Sequence, residues 1–199
     1  MRNVERALRS VEAPPEAVAD AVARLVRRAE AEVDIAYAVV DSPLGELLVA
    51  VTSRGLVRVA YPNETEDQVL QELSGRVSPR ILRAPGRTDE VRRELAQYFA
   101  GSRRRFEVPV DWALSRGFFR KVLRATARIP YGDVRTYTEM ATRAGNPRAY
   151  RAAGNALHSN PVPIVVPCHR VVHADGGLAG YGGGVERKEF LLALEGALE

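Results

Sequence analysis

Three short runs, Ile35–Val40, Glu46–Thr52 and Leu56–Tyr61, are rich in β-branched and apolar residues, and they predict strands. The turns between them, Ser42-Pro43-Leu44-Gly45 and Ser53-Arg54-Gly55, are short enough to make the three an antiparallel meander. Ahead of them, apolar positions recur at helical spacing from about Glu12 to Ala31, entered through Pro14-Pro15, so a helical extension is expected there. Two more helices are predicted over Glu66–Ser74 and Thr88–Ala100. From Arg116 the pattern becomes mostly helical. Phe118, Phe119, Val122, Leu123 and Thr126 form one face of a helix that stops at Pro130-Tyr131-Gly132. A short helix over Thr138–Ala144, a turn at Gly145-Asn146-Pro147 and a helix over Arg148–His158 then follow. Two short helices around a glycine-containing turn fit a helix-turn-helix, although ordinary helix packing gives the same pattern.

The expected fold class is therefore α+β. Residues 1–112 form a small antiparallel sheet with helices, preceded by the helical extension to about residue 31. Residues 113–199 form a mostly helical domain with the helix-turn-helix.

Composition narrows the function less than the pattern does. A chain of 199 residues suits one or two small domains. Its net charge is +4, carried almost wholly by arginine, the only lysines being Lys121 and Lys188. Arginine suits a nucleic-acid partner, but a general compositional bias explains it equally well. No apolar stretch approaches the roughly 18 residues of a membrane span, and the start lacks a signal-peptide core. A cytoplasmic location and no membrane partner are expected. Arg103-Arg104-Arg105 is expected in a solvated connecting loop.

Cys168 is the single cysteine, so it makes no internal disulfide, and with only three histidines in the chain, His158, His169 and His173, a structural metal is not expected. It is either a small core residue or a reagent. Its surroundings favour chemistry. The apolar run Asn160-Pro161-Val162-Pro163-Ile164-Val165-Val166 is broken by Pro167 just before the thiol, which puts Cys168 at a bend. His169 and Arg170 then interrupt the apolar stretch. Burying them unpaired would be costly, so both should have partners. A histidine that accepts a thiol proton activates cysteine, but an adjacent ring needs a water relay or a bend to reach it. Glu195 could orient that ring from its far side.

Pro167-Cys168-His169-Arg170-Val171 resembles the acceptor-cysteine motif of the O6-alkylguanine-DNA alkyltransferases. The likeness extends to Ile129-Pro130-Tyr131-Gly132-Asp133-Val134 with Thr136-Tyr137, to Gly145–Gly154, to Asn160-Pro161-Val162-Pro163, and to Glu186-Arg187-Lys188 through Glu195-Gly196. It covers about residues 115–197; the first half fits only in outline. The resemblance implies stoichiometric transfer of an alkyl group from O6 of a flipped guanine in double-stranded DNA to Cys168, a direct-reversal repair that calls for no cofactor. His169 and Glu195 would form an activating relay through water. Tyr137 would donate a hydrogen bond to the guanine ring, and Asn160 would fix the hinge before the active-site segment. Arg151 would fill the gap in the duplex, on a helix whose Ala149 and Ala152 allow close approach to DNA. Main chain at Cys168 and Val171 would read the guanine edge, and Tyr181 and Gly182 would lie in the loop that closes the pocket. The protein is expected to act as a monomer, with cooperative binding along DNA left open.

Tyr137 could instead cap a helix and Asn160 could be a C-cap residue. The loop Leu178–Gly184 carries Gly182 and Gly183 where relatives often have larger or polar residues, and this suggests a mobile, roomy rim that tolerates bulky alkyl groups. A lesion sensor without transfer, a transcription regulator and a thiol hydrolase are rival readings. The presence of Cys168, the lack of a sensor domain and the lack of an oxyanion loop count against them in turn.

Overall fold

The computed structural model describes residues 18–21, 24, 32–178 and 180–198. Most of the helix expected over Glu12–Ala31 lies outside the described residues; within them, residues 18–21 and 24 are helical. Contacts divide the chain into two units, Met1–Val33 and Asp34–Glu199, and the second holds the sheet and the helices that follow it.

Strands β1 (Ile35–Val40), β2 (Leu47–Thr52) and β3 (Gly55–Ala60) form the expected meander, with Tyr37 opposite Ala50 and Val49 opposite Val59. A fourth strand, β4 (Ile81–Arg83), pairs parallel with β1, so the sheet is mixed, in the order β3-β2-β1-β4. Helix α1 (Glu66–Arg76) joins β3 to β4, and α2 (Asp89–Phe99) follows. Thr65 and Gln68 cap the start of α1 reciprocally, a signal present in the sequence.

The sheet is covered on both faces, which is why its strands read as nearly continuous apolar runs. Ile35, Tyr37, Leu48 and Val57 pack on one face with Val69 and Leu73 of α1. Ala36, Ala38, Leu47, Val49 and Leu56 point the other way, towards Leu95 and Tyr98 of α2. This second cluster continues into the rest of the chain through Leu123, Ile164 and Leu191, so a single core spans residues on either side of position 112.

The remaining helices are α3 (Gly117–Thr126), α4 (Tyr137–Arg143), α5 (Tyr150–His158) and α6 (Val185–Leu194), with a short parallel pair β5 (Arg135–Thr136) and β6 (Val171–Val172). Helix α4 starts one residue earlier than expected, because Thr136 and Glu139 form a capping box around its first turn. Helix α5 starts two residues later, at Tyr150, with Ala149 as its N-cap. Of the basic run, Arg103 turns back to Glu94 and Gln97, while Arg104 lies over the Tyr131 ring at 5.6 Å. No helix among the described residues is long and apolar enough to cross a membrane.

Candidate active site

The segment before the thiol is neither strand nor helix. It winds through Pro161–Pro167 in tight turns, closed by hydrogen bonds from Val165 N to Pro163 O and Val166 N to Val162 O. Ile164, fully buried, sits at φ 73°, a left-handed conformation unfavourable for a β-branched residue. Pro167 ends the run, and Cys168–Arg170 form one turn of 3₁₀ helix leading into β6.

Asn160 holds this arrangement together. Its amide nitrogen donates to Val166 O at 2.8 Å and to Cys168 Sγ at 3.0 Å, while its oxygen accepts from Val162 N at 3.1 Å. It is not the C-cap of α5, which is Ser159. Cys168 is 5% exposed. Burial pushes its thiol up from the ordinary value; hydrogen bonds from Asn160 and Tyr181 and the charge of Lys188 act in the opposite direction. The resting sulfur is thus a protonated thiol.

Behind it, Glu195 occupies the C-cap of α6 and gathers three buried side chains. Its carboxylate accepts from His169 Nε2 at 2.9 Å, from Arg170 Nε at 2.7 Å and a second Arg170 nitrogen at 2.8 Å, and from the Tyr98 hydroxyl at 2.6 Å. Arg170 also donates to Ile129 O at 2.6 Å. These are the partners that the interrupting His-Arg pair demanded. Burial alone would raise the Glu195 pKa, but the bonds from His169 and Arg170 outweigh it and lower the value to about 2. A carboxylate can only accept, so His169 Nε2 carries the proton and Nδ1 presents a lone pair. That Nδ1 has no protein partner. Burial lowers the His169 pKa against the pull of Glu195, so the ring is neutral.

Lys188 is also buried, its ammonium donating to Val171 O at 2.6 Å and to Leu178 O. Burial lowers its pKa to about 8, against the influence of Cys168. The site's only lysine therefore ties α6 both to β6 and to the loop that follows it.

A cleft of about 400 Å³ opens at Cys168, lined by Tyr181, Gly182, Asn160 and Leu157 on one side and by Arg58, Tyr61 and Arg76 from the sheet half on the other. Val171 is fully buried and does not line it. Nor does Tyr137, which opens α4 half-buried against Gly154 of α5, its ring 5.5 Å from that of His173. Thr136, not Tyr137, caps the helix. Burial raises the Tyr137 pKa, and the nearby Cys168 adds to the rise. Helix α5 exposes Arg151, whose guanidinium lies 5.7 Å over the Tyr150 ring; Ala149 and Ala152 are half-buried and Ala153 fully so.

The glycine loop has a different cause from the one its sequence suggests. A Cβ on Gly182 would lie 2.8 Å from His158 O, and one on Gly183 would lie 2.6 Å from the Tyr61 ring. Both glycines are there because the loop runs against its neighbours, not to leave a roomy rim. The space at the thiol comes from the cleft. Gly183→Ala should therefore displace Tyr61 or the loop and lower stability by about 1–3 kcal/mol. A thermal melt identical to that of the unaltered protein would contradict this close seating.

Tyr61, Lys188 and Tyr98 are the site residues that sequence reasoning missed. Lys188 is one of two lysines in an arginine-rich chain but sits among Glu186, Arg187 and Glu189, so it reads as a surface charge, and nothing local distinguished either tyrosine.

Comparison with known proteins places this geometry in context. The family described as 6-O-methylguanine DNA methyltransferase, ribonuclease-like domain, matches residues 35–112, and its DNA binding domain matches residues 117–197. A methylated-DNA--protein-cysteine methyltransferase of Methanosarcina acetivorans is 40% identical over 161 residues, covering 81% of this chain and 98% of the relative. One from Mycolicibacterium paratuberculosis is 42% identical, covering 81% and 92%. Among solved structures, the O6-methylguanine methyltransferase of Mycobacterium tuberculosis is 38% identical with a TM-score of 0.70, covering 82% of this chain and 93% of that one. The Mycobacterium tuberculosis protein OGT in complex with DNA is similar at the same identity and TM-score. With both halves matched and relatives covered almost end to end, the chain belongs to the 6-O-methylguanine DNA methyltransferase family.

Proposed function

We propose that this protein reverses alkylation damage in double-stranded DNA directly, moving the alkyl group of an extruded O6-alkylguanine onto Cys168, once per chain. The observation that carries the reading is the lone cysteine at a cleft, backed by the buried His169–Glu195 pair. A solved relative bound to DNA supports the choice of partner. The reaction takes place in the cytoplasm, where a free thiol stays reduced. Residues 1–112 and 113–199 divide the work: the second part binds DNA and accepts the alkyl group, and the first supplies a wall of the cleft.

The target oxygen is inaccessible inside a duplex, so the base leaves the stack at a cost of about a few kcal/mol. Arg151, at the exposed start of α5, enters the vacated space, and the small residues Ala149 and Ala152 let the helix approach closely. Phosphate contacts and shape dominate, so binding weakens with salt. At the cleft, main chain at Cys168 reads the guanine edge, and Tyr181 and Gly182 cover it; Val171, buried and with its carbonyl held by Lys188, does not take part.

The sulfur attacks the alkyl carbon in line. The S–C bond forms as the C–O6 bond breaks, leaving a thioether and guanine. The thiol proton passes to His169 Nδ1 through an intervening water, and the net balance returns one proton to the guanine ring. Because the thiol is held up and the imidazole held down, no thiolate–imidazolium pair is preformed. Proton removal accompanies attack, and much of the rate must come from placing carbon against sulfur and from hydrogen bonding to the departing guanine. Tyr137 stands near Cys168 but outside the cleft lining, so it provides such a bond only once its side chain turns towards the seated base; its hydroxyl is protonated and can donate.

Titrating duplex DNA containing O6-methylguanine with the protein should remove one lesion per chain and then stop; continued turnover would contradict the reading. Arg151→Ala should slow transfer from duplex by about tenfold or more, given an unstacking cost of a few kcal/mol, yet leave reaction with free O6-benzylguanine base unchanged. Equal loss on both substrates would remove Arg151 from extrusion and place it in folding.

A further inference from the structure

One wall of the Cys168 cleft comes from the sheet half, and the transfer chemistry above does not use it. Tyr61 follows directly on β3, is 5% exposed, and lines the cleft beside Cys168. Its hydroxyl lies 2.7 Å from that of Tyr181, 120 residues away, and the two rings meet edge-on with centroids 6.0 Å apart. Two further contacts fix the ring and a third ties its segment to the loop. Gly183 presses against it, the Arg187 guanidinium lies over it at 5.4 Å, and Asn63, two residues on, donates to Gly182 O at 3.4 Å. Tyr181 lines the same cleft as Cys168, and its hydroxyl is among the groups that draw the thiol's pKa down.

A phenol has one proton to donate. While Cys168 is a neutral thiol, Tyr181 is free to donate to Tyr61. Once the sulfur carries negative charge, the Tyr181 proton is drawn to it, and the Tyr181 oxygen must then accept from Tyr61. Burial raises both phenols, so each keeps its proton at neutral pH. Two hydroxyls in series onto an anion polarise one another and bind it better than one.

We propose that Tyr61 is a positioning residue for alkyl transfer: its hydroxyl turns the Tyr181 hydroxyl towards Cys168 Sγ and so stabilises the developing thiolate. This inference rests on the proposed transfer to Cys168, and it gives the sheet half a direct part in the chemistry. Other groups lie near the sulfur or this pair: Lys188 and Arg187 from α6, Asn160 after α5 and Tyr137 from α4, with His169 next to Cys168 in the chain and turned to Glu195. All of them stay in place when only the Tyr61 hydroxyl is removed.

Tyr61→Phe keeps the ring and its packing. Because Cys168 is the only thiol, iodoacetamide reports on it alone. The pH profile of its alkylation should move to higher pH in Tyr61→Phe, with the rate near neutral pH down about two- to tenfold, the value of one hydrogen bond. Transfer from O6-methylguanine in duplex DNA should fall in the same proportion while DNA affinity and melting temperature hold. In a Tyr181→Phe background the same change should add nothing. A Tyr61→Phe protein with an unaltered profile overturns the proposal even if Tyr61→Ala is impaired, since packing alone would then explain Tyr61. So would an additive further shift in the double variant. Failure of the unaltered protein to repair duplex DNA would instead count against the proposed function, because the iodoacetamide measurement does not depend on it.

Discussion

Cys168→Ala abolishes alkyl transfer and leaves affinity for duplex DNA unchanged. The sulfur is the nucleophile, and no neighbouring group can replace it: Asn160 is an amide donor, the two nearby phenols are held protonated, and Lys188 is committed to two carbonyls. The thiol adds little to the DNA-facing surface, because it is nearly buried and the exposed residues Tyr150 and Arg151 lie on α5. The fold should survive as well, since Asn160 keeps its bonds to Val166 O and Val162 N when the sulfur is gone. Gel-shift titration and a lesion-removal assay on the same preparation check both halves. Residual transfer by the alanine variant would remove Cys168 as acceptor; loss of DNA binding would show the thiol to be structural.

Glu195→Gln should have the second large effect, and it reaches stability and activity together. The Glu195 carboxylate neutralises the buried Arg170 guanidinium and orients His169. A neutral amide leaves that guanidinium without its counter-charge, which costs about 3–5 kcal/mol for a broken buried pair. The amide can also donate to His169 Nε2, stabilising the tautomer whose proton is on Nδ1 and removing the lone pair proposed to receive the thiol's proton. The pH dependence has a definite sign. The Glu195 pKa in the folded protein, about 2, lies below the ordinary 4.5, so its contribution is fully present above about pH 4.5 and is lost as pH falls towards 2. Urea unfolding at several pH values should show this acid-side loss in the unaltered protein and its absence in Glu195→Gln. Equal stability of the two proteins at neutral pH would contradict the central place given to this carboxylate.

The parts of this account visible in the sequence are those with a local cause. The β1–β3 meander was legible from β-branched runs and short turns, and the two-sided packing of the sheet explains their continuous apolarity. β4 was not, because three residues with Ile81 and Leu82 only half-buried carry too little pattern. Cys168 stood out because Pro167 breaks its run and His169-Arg170 adds polar groups that must find partners. Glu195 was expected to orient His169 and does so, but that it also pairs with Arg170, 25 residues away, and that Ile129 O takes a further Arg170 bond, 41 residues away, lay beyond any local rule. Tyr61 was hidden for the same reason: as the last residue of an apolar run it reads as core, and its meaning comes from Tyr181 at the other end of the chain. The glycine pair shows how local reasoning can be reversed. Glycine suggests freedom until the neighbours are known, and here His158 O and the Tyr61 ring leave no room for anything larger.

The central claim is that one buried sulfur receives the alkyl group. Intact-mass measurement after incubation with duplex DNA containing O6-methylguanine tests it most directly. The protein should gain the mass of one methyl group and no more, and proteolysis should place it on the peptide containing Cys168. An unchanged mass while the lesion disappears, or a methyl group on any other residue, would contradict the account.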